Sequence, residues 1–159
     1  MTYPRLVAGV ALITGNRAAA EDAVQEALAR AWERSERGEQ IESLPAWVTR
    51  VAMNLSKSRL RRMRVEAKHR DSVARMPVAD GGGASDSRID IRRALAKLPH
   101  RQREVTVLRY YLGLNVVEIA RTLELNEGTV KTSLFRARKA LAAALGESAE
   151  EENDHVALG

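Results

Sequence analysis

The sequence predicts an all-α protein: two small helical domains joined by a flexible linker, the second a four-helix domain with a helix-turn-helix. Three observations predict this. Apolar residues recur at helical spacing along most of the chain, and no segment shows the strict alternation of a strand. The main interruption is "MPVADGGGASDS", residues 76–87, whose three consecutive glycines carry no periodic apolar face. Aromatic residues make up only 4% of a chain that is 45% hydrophobic, a composition suited to helices packed closely through Leu, Val and Ala. The predicted division is a first domain at 4–71, a linker at 72–88, a second domain at 89–146 and an acidic tail at 147–159.

The first apolar run, "LVAGVALI" at residues 6–13, is far shorter than the ~20 residues that cross a bilayer. Only Arg5 precedes it with a charge, and Asn16, Arg17 and Glu21 follow, so it reads as a buried helix rather than a signal peptide. Residues 18–34 predict an amphipathic helix with Val24, Ala27, Leu28, Ala31 and Trp32 as its apolar stripe. Asp22, Gln25, Glu26, Arg30 and Glu33 face away from that stripe. Glu21 and Asp22 stand in the first turn, where the helix dipole favours negative charge. The next helix starts at Pro45, with an inward stripe of Leu44, Trp47, Val48, Val51 and Leu55. It turns polar at "SKSRLRRMR", residues 56–64, where Lys57, Arg61 and Arg64 share one side with Arg62 beside them.

Beyond the glycines, "IDIRRALAKL" (89–98) forms a helix that ends before Pro99. "RQREVTVLRYYL" (101–112) turns Val105, Leu108 and Leu112 inward, and Gly113 supplies its stop. "VVEIARTL" (116–123) is a short helix in which Ala120 allows a close crossing. A turn containing Asn126 and Gly128 leads to a longer helix with Val130, Leu134, Ala137 and Leu141 on its buried face. Lys131, Thr132, Arg136, Arg138 and Lys139 lie between those residues. A short helix, a tight turn and a longer basic helix make a helix-turn-helix, whose second helix reads the major groove.

Charge narrows the function. Residues 1–146 hold all 26 Lys and Arg against 16 acids, a net charge of +10, and five acids follow in the tail. A body this basic favours a polyanionic partner, nucleic acid before membrane. Residues 50–75 alone hold nine Lys or Arg against two acids, enough to neutralise several phosphates. A basic run of that kind is, by itself, as much a solvated face as a binding surface. There is no cysteine, which excludes disulfides and thiolate metal sites. His69, His100 and His155 are scattered and form no catalytic set, and "DGGGAS" lacks the Lys of a phosphate-binding loop. The expectation is a protein that is not an enzyme, with no metal, cofactor or small-molecule substrate and no membrane insertion.

Three segments carry a resemblance to the extracytoplasmic-function (ECF) class of RNA polymerase sigma factors, in the sigma-70 family. "AEDAVQEALARAW" (20–32) resembles the region-two helix that docks on polymerase. "LPAWVTRVAMNLSKSRLRRMR" (44–64) resembles the segment that opens and reads the promoter minus-10 element. "ALAKLPHRQREVTVLRYYLGLNVVEIARTLELNEGTVKTSLFRARKAL" (94–141) resembles region four, which binds the minus-35 element.

The resemblance implies a cytoplasmic protein whose partners are core RNA polymerase, promoter DNA and an anti-sigma protein. It assigns Asp22, Gln25, Glu26 and Arg30 to polymerase binding. Asn54, Lys57, Arg61, Arg62 and Arg64 fall to the minus-10 element. Gly128, Thr129, Lys131, Thr132, Phe135, Arg136 and Lys139 fall to the minus-35 element. The helix start near Gly128 offers free amides to a phosphate. Glu124 stands where the family has Gly, so a left-handed backbone there would cost about 1 kcal/mol or more. Phe135 takes a place often held by His and suits contact with DNA sugar or thymine methyl groups. The rival reading is a stand-alone helix-turn-helix regulator that binds DNA without polymerase.

Overall fold

The structure, a computed structural model, describes residues 2–69 and 86–156. Within them are seven helices and no strand: α1 (Tyr3–Thr14), α2 (Arg17–Glu36), α3 (Leu44–His69), α4 (Asp86–Lys97), α5 (His100–Thr106), α6 (Val116–Leu123) and α7 (Glu127–Val156). The triple glycine expected to form a linker, and the side chains of the acidic tail, lie outside the described residues.

Local chemistry sets the helix ends of the first half. Pro4 stands in the first turn of α1, and Gly15 ends it in the left-handed region at φ 75°, donating to Ala11 O. Asn16 then caps α2, its side chain accepting from the Ala19 amide at 2.9 Å. Leu6, Val7 and Val10 of α1 pack with Ala20, Ala23, Val24, Ala27 and Ala31 of α2 and with Val48 and Ala52 of α3. The alanines let the three helices approach closely.

This core corrects the stripe expected for α2. Trp32 is 70% exposed and Leu28 is 37% exposed, while the alanines one position away carry the packing. On α3, Leu44 is exposed, and Ala52 and Met53 are buried in its place.

In the second half, α5 continues into a π-helical turn, Val107–Tyr111, in which the Leu112 amide reaches back five residues to Val107 O at 2.9 Å. Gly113 ends it at φ 77°, and the Leu114 amide reaches Leu108 O. Arg103 closes the end of α4 by donating to Leu95 O, Ala96 O and Leu98 O. A full capping box starts α6: Asn115 accepts from the Glu118 amide, and Glu118 accepts from the Asn115 amide, both at 2.9 Å. Leu108, Ile119, Val130, Leu134 and Ala137 form the centre of this half.

The two halves do not stand apart. Ile13 of α1 and Met53 of α3 are buried in the same apolar cluster as Leu98, Leu108, Leu112 and Leu114. Polar contacts ring that junction. Arg5 donates to Tyr111 O, the carbonyl at the end of the π turn, and its guanidinium lies 5.4 Å from the Tyr111 ring centre. Ser43 donates to Glu118 at 2.8 Å, and Arg121 pairs with Glu42 at 2.9 Å.

Candidate nucleic-acid interface

The turn between α6 and α7 is built around Glu124, whose backbone is left-handed at φ 56° and ψ 47°. Among the described residues it is the one non-glycine residue with positive φ. The strain expected at this position from its side chain is therefore present. Leu125 follows it and donates to Ala120 O, closing the end of α6. Asn126 then caps α7, with its Oδ1 accepting from the Thr129 amide at 2.7 Å. That bond takes up the Thr129 amide, one of those at the helix start near Gly128.

On α7, Val130, Leu134 and Ala137 are buried at helical spacing. The opposite face carries Gly128, Thr129, Lys131, Thr132, Phe135, Arg136 and Lys139, all exposed. Phe135 is 58% exposed on this face. A large aromatic ring left more than half exposed, flanked by cations, makes a surface fit for duplex DNA.

The basic end of α3 presents Arg61, Arg62 and Arg64 to solvent, with Asn54 exposed two turns earlier. Lys57 is exposed as well, and its ammonium lies 2.5 Å from Glu104 Oε1 of α5, at the edge of the junction between the halves. Glu104 is wholly buried, and it also meets His100 Nε2 at 3.1 Å and Arg101 Nη1 at 2.9 Å. Glu104 Oε1 makes no aligned hydrogen bond, and the charge of the Lys57 ammonium faces it. Sequence reasoning missed Glu104, which reads as one more polar position of a surface helix until α3 is placed against it.

The residues of α2 assigned to polymerase are also partly engaged. Glu26 bridges Arg30 at 2.5 Å and Arg59 at 2.7 Å. Arg59 reaches Asp22 at 3.8 Å, and Gln25 donates to the Tyr3 hydroxyl at 3.1 Å. Asp22, Gln25 and Arg30 remain exposed, and so does Trp32 on the same helix. Among the described residues no group of His, Cys, Asp and Glu is arranged to hold a metal ion. No helix among them is long and apolar enough to cross a membrane.

Comparison with known proteins matches both halves in order. The family model of sigma-70 region 2 matches residues 1–65, and that of sigma-70 region 4 matches residues 88–141. The ECF RNA polymerase sigma factor SigL of Mycobacterium tuberculosis is 36% identical over 140 residues, covering 85% of this chain and 79% of that one. The ECF RNA polymerase sigma factor SigW of Bacillus subtilis is 33% identical over 141 residues, covering 80% and 75%. A solved structure of the sigma factor RpoE in complex with the anti-sigma factor NepR from Bartonella quintana superposes with a TM-score of 0.72. It is 30% identical and covers 91% of each chain. With a region-two half, a region-four half and relatives matched across both over three quarters or more of their length, the chain belongs to the ECF sigma factors of the sigma-70 family.

Proposed function

We infer that this protein binds core RNA polymerase and directs it to promoters by reading minus-10 and minus-35 elements. The observation that carries this reading is the order of the two matched halves, each ending in an exposed basic helix. Region four sits on duplex DNA through α7. Lys131, Arg136 and Lys139 engage phosphates and base edges, Gly128, Thr129 and Thr132 line the approach, and Phe135 meets sugar or thymine methyl groups. Phosphate contacts position the helix, and each good base-edge contact contributes ~1–3 kcal/mol of selectivity. Region two tracks the unpaired non-template strand through Asn54, Lys57, Arg61, Arg62 and Arg64. A base drawn from the stack costs a few kcal/mol, which a basic strand-tracking surface offsets.

Asp22, Gln25, Glu26 and Arg30 of α2 form the polymerase face. The working division is residues 4–71 for region two, 72–88 for the linker, 89–146 for region four and 147–159 for the tail. Tethering the two promoter contacts raises the effective concentration of the second once the first is made. The protein performs no chemistry, uses no cofactor and works in the cytoplasm. The solved neighbour is held by an anti-sigma factor, which supports an anti-sigma partner here as well.

The test is co-purification with core polymerase followed by transcription from a promoter in vitro. Capture of core enzyme with promoter-dependent transcripts is the expected result. Sequence-specific gel shifts by the free protein, indifferent to core enzyme, would favour a stand-alone regulator instead.

A further inference from the structure

We propose that Arg50 and Lys68 are phosphate contacts of the unpaired promoter strand, the two ends of one continuous line on α3. The inference rests on α3 being the minus-10 helix, as read above. Arg50, Asn54, Lys57, Arg61, Arg64 and Lys68 are all exposed. Their spacing of three or four residues keeps them within about 40° of one line along the helix, at about 100° per residue. From end to end that line measures about 27 Å. Arg62 stands beside it, and Glu66, the only acid of α3, stands on the far side of the helix.

These cations differ from their neighbours in what they hold. Arg30, Arg34 and Arg37 of the first half each pair with a glutamate, and Arg59 of α3 is tied to Glu26. Among the described residues Arg50, Arg61, Arg64 and Lys68 have no acidic partner, and Lys57 has only Glu104. Cations about one turn apart lie within a Debye length of one another at physiological salt and repel. A polyanion laid along the line removes that repulsion and releases its own counterions.

The two end positions have distinct tasks. Arg50 is one turn before Asn54 and Lys57 one turn after it, so the phosphates on both sides of a base held at Asn54 each meet a cation. Without Arg50 the line would be cationic on one side of Asn54 only. Lys68 carries the line one turn beyond Arg64, at the exposed end of the helix. Contacts of this kind fix the register of a strand and carry no base preference of their own.

The experiment uses the full chain and fluorescence anisotropy over a salt series. The probes are single-stranded oligodeoxynucleotides of two unrelated sequences and a duplex. Arg50→Ala and Lys68→Ala remove exposed side chains that hold no ion pair, so both proteins should unfold at the parent's temperature. Each should flatten the slope of log single-strand affinity against log salt by about 0.7, and weaken binding about fivefold at about 0.1 M salt. The double variant should lose about 1.4 of slope. The loss should be equal for both sequences, Arg50→Lys should restore binding, and duplex affinity should stay unchanged. Arg17→Ala removes an exposed cation of α2 and should leave every slope as it was.

An unchanged slope in Arg50→Ala or in Lys68→Ala overturns the proposal. So does an equal loss in Arg17→Ala, which would mean that net charge alone matters, or an equal loss on the duplex. Arg61→Ala with Arg64→Ala separates the proposal from the functional reading. A flattened slope there, with none in Arg50→Ala and Lys68→Ala, would leave the minus-10 reading standing. A strand that does not bind, or binds alike in every α3 variant, would reject both.

Discussion

Asn126 Oδ1 accepts the Thr129 amide at 2.7 Å, so the turn residue holds the first turn of the helix proposed to read DNA. Asn126→Ala should cost about 1 kcal/mol of stability, the usual value of an N-cap, and lower the melting temperature by a few degrees. Duplex affinity should fall too, because Thr129 and Lys131 are positioned by that turn. Asn126→Asp separates the two effects. It keeps the acceptor and the melting temperature but places a negative charge against the phosphates, so duplex binding alone should weaken. Thermal unfolding beside fluorescence anisotropy on a promoter duplex checks both.

Glu124 pays the conformational penalty of a left-handed side chain at φ 56°. Glu124→Gly should stabilise the protein by roughly 0.5–1 kcal/mol, because the left-handed penalty of about 1–2 kcal/mol exceeds the entropic cost of glycine. Glu124→Asn should give a smaller gain in the same direction. A lower melting temperature in both variants would show that Glu124 makes a compensating contact in solution.

Much of this architecture was legible from periodicity and punctuation. The helices carried clear apolar spacing, and Gly113 and the turn residue Asn126 mark helix ends by chemistry that acts within a few residues. The left-handed Glu124 was implied by the resemblance, through the Gly that the family has at that place. Less legible was anything decided between distant segments. Trp32 has the spacing of a core residue, but α1 and α3 approach α2 over its alanines, so the large ring is left outside. Lys57 shares a helical side with Arg61 and Arg64, and only the packing of α5 on α3 turns it toward Glu104. The π turn at Val107–Tyr111 has no sequence period of its own; its carbonyl end is satisfied by Arg5, 106 positions away.

Trp32 gives the clearest test of the polymerase face. At 70% exposure it contributes little to the core, so Trp32→Ala should change stability by no more than about 0.5 kcal/mol. If α2 docks on core polymerase, an exposed tryptophan is the kind of anchor that dominates such an interface. Its loss should then weaken capture by roughly 2 kcal/mol or more. Asp22→Ala with Gln25→Ala should weaken capture as well, leaving duplex binding intact. Glu26→Ala is a poorer probe, because it also breaks the bridge to Arg30 and Arg59 and should lower the melting temperature. Unaltered affinity for core polymerase in both Trp32→Ala and the Asp22/Gln25 double variant would reject docking through α2.

Arg136 and Lys139 are one turn apart on the open face of α7, while Ala137 between them is buried against region four. Replacing both with Ala removes two cations without touching the core, so the fold should be retained. If each neutralises one phosphate, the slope of log affinity against log salt should become shallower by about 1.8, near 0.9 per contact. Binding to a minus-35 duplex should weaken most at low salt, where counterion release contributes most, and core polymerase capture should be unchanged. Loss of both activities together would mean that this face is not a dedicated DNA reader. A salt slope identical to that of the parent would place the phosphate contacts elsewhere on region four.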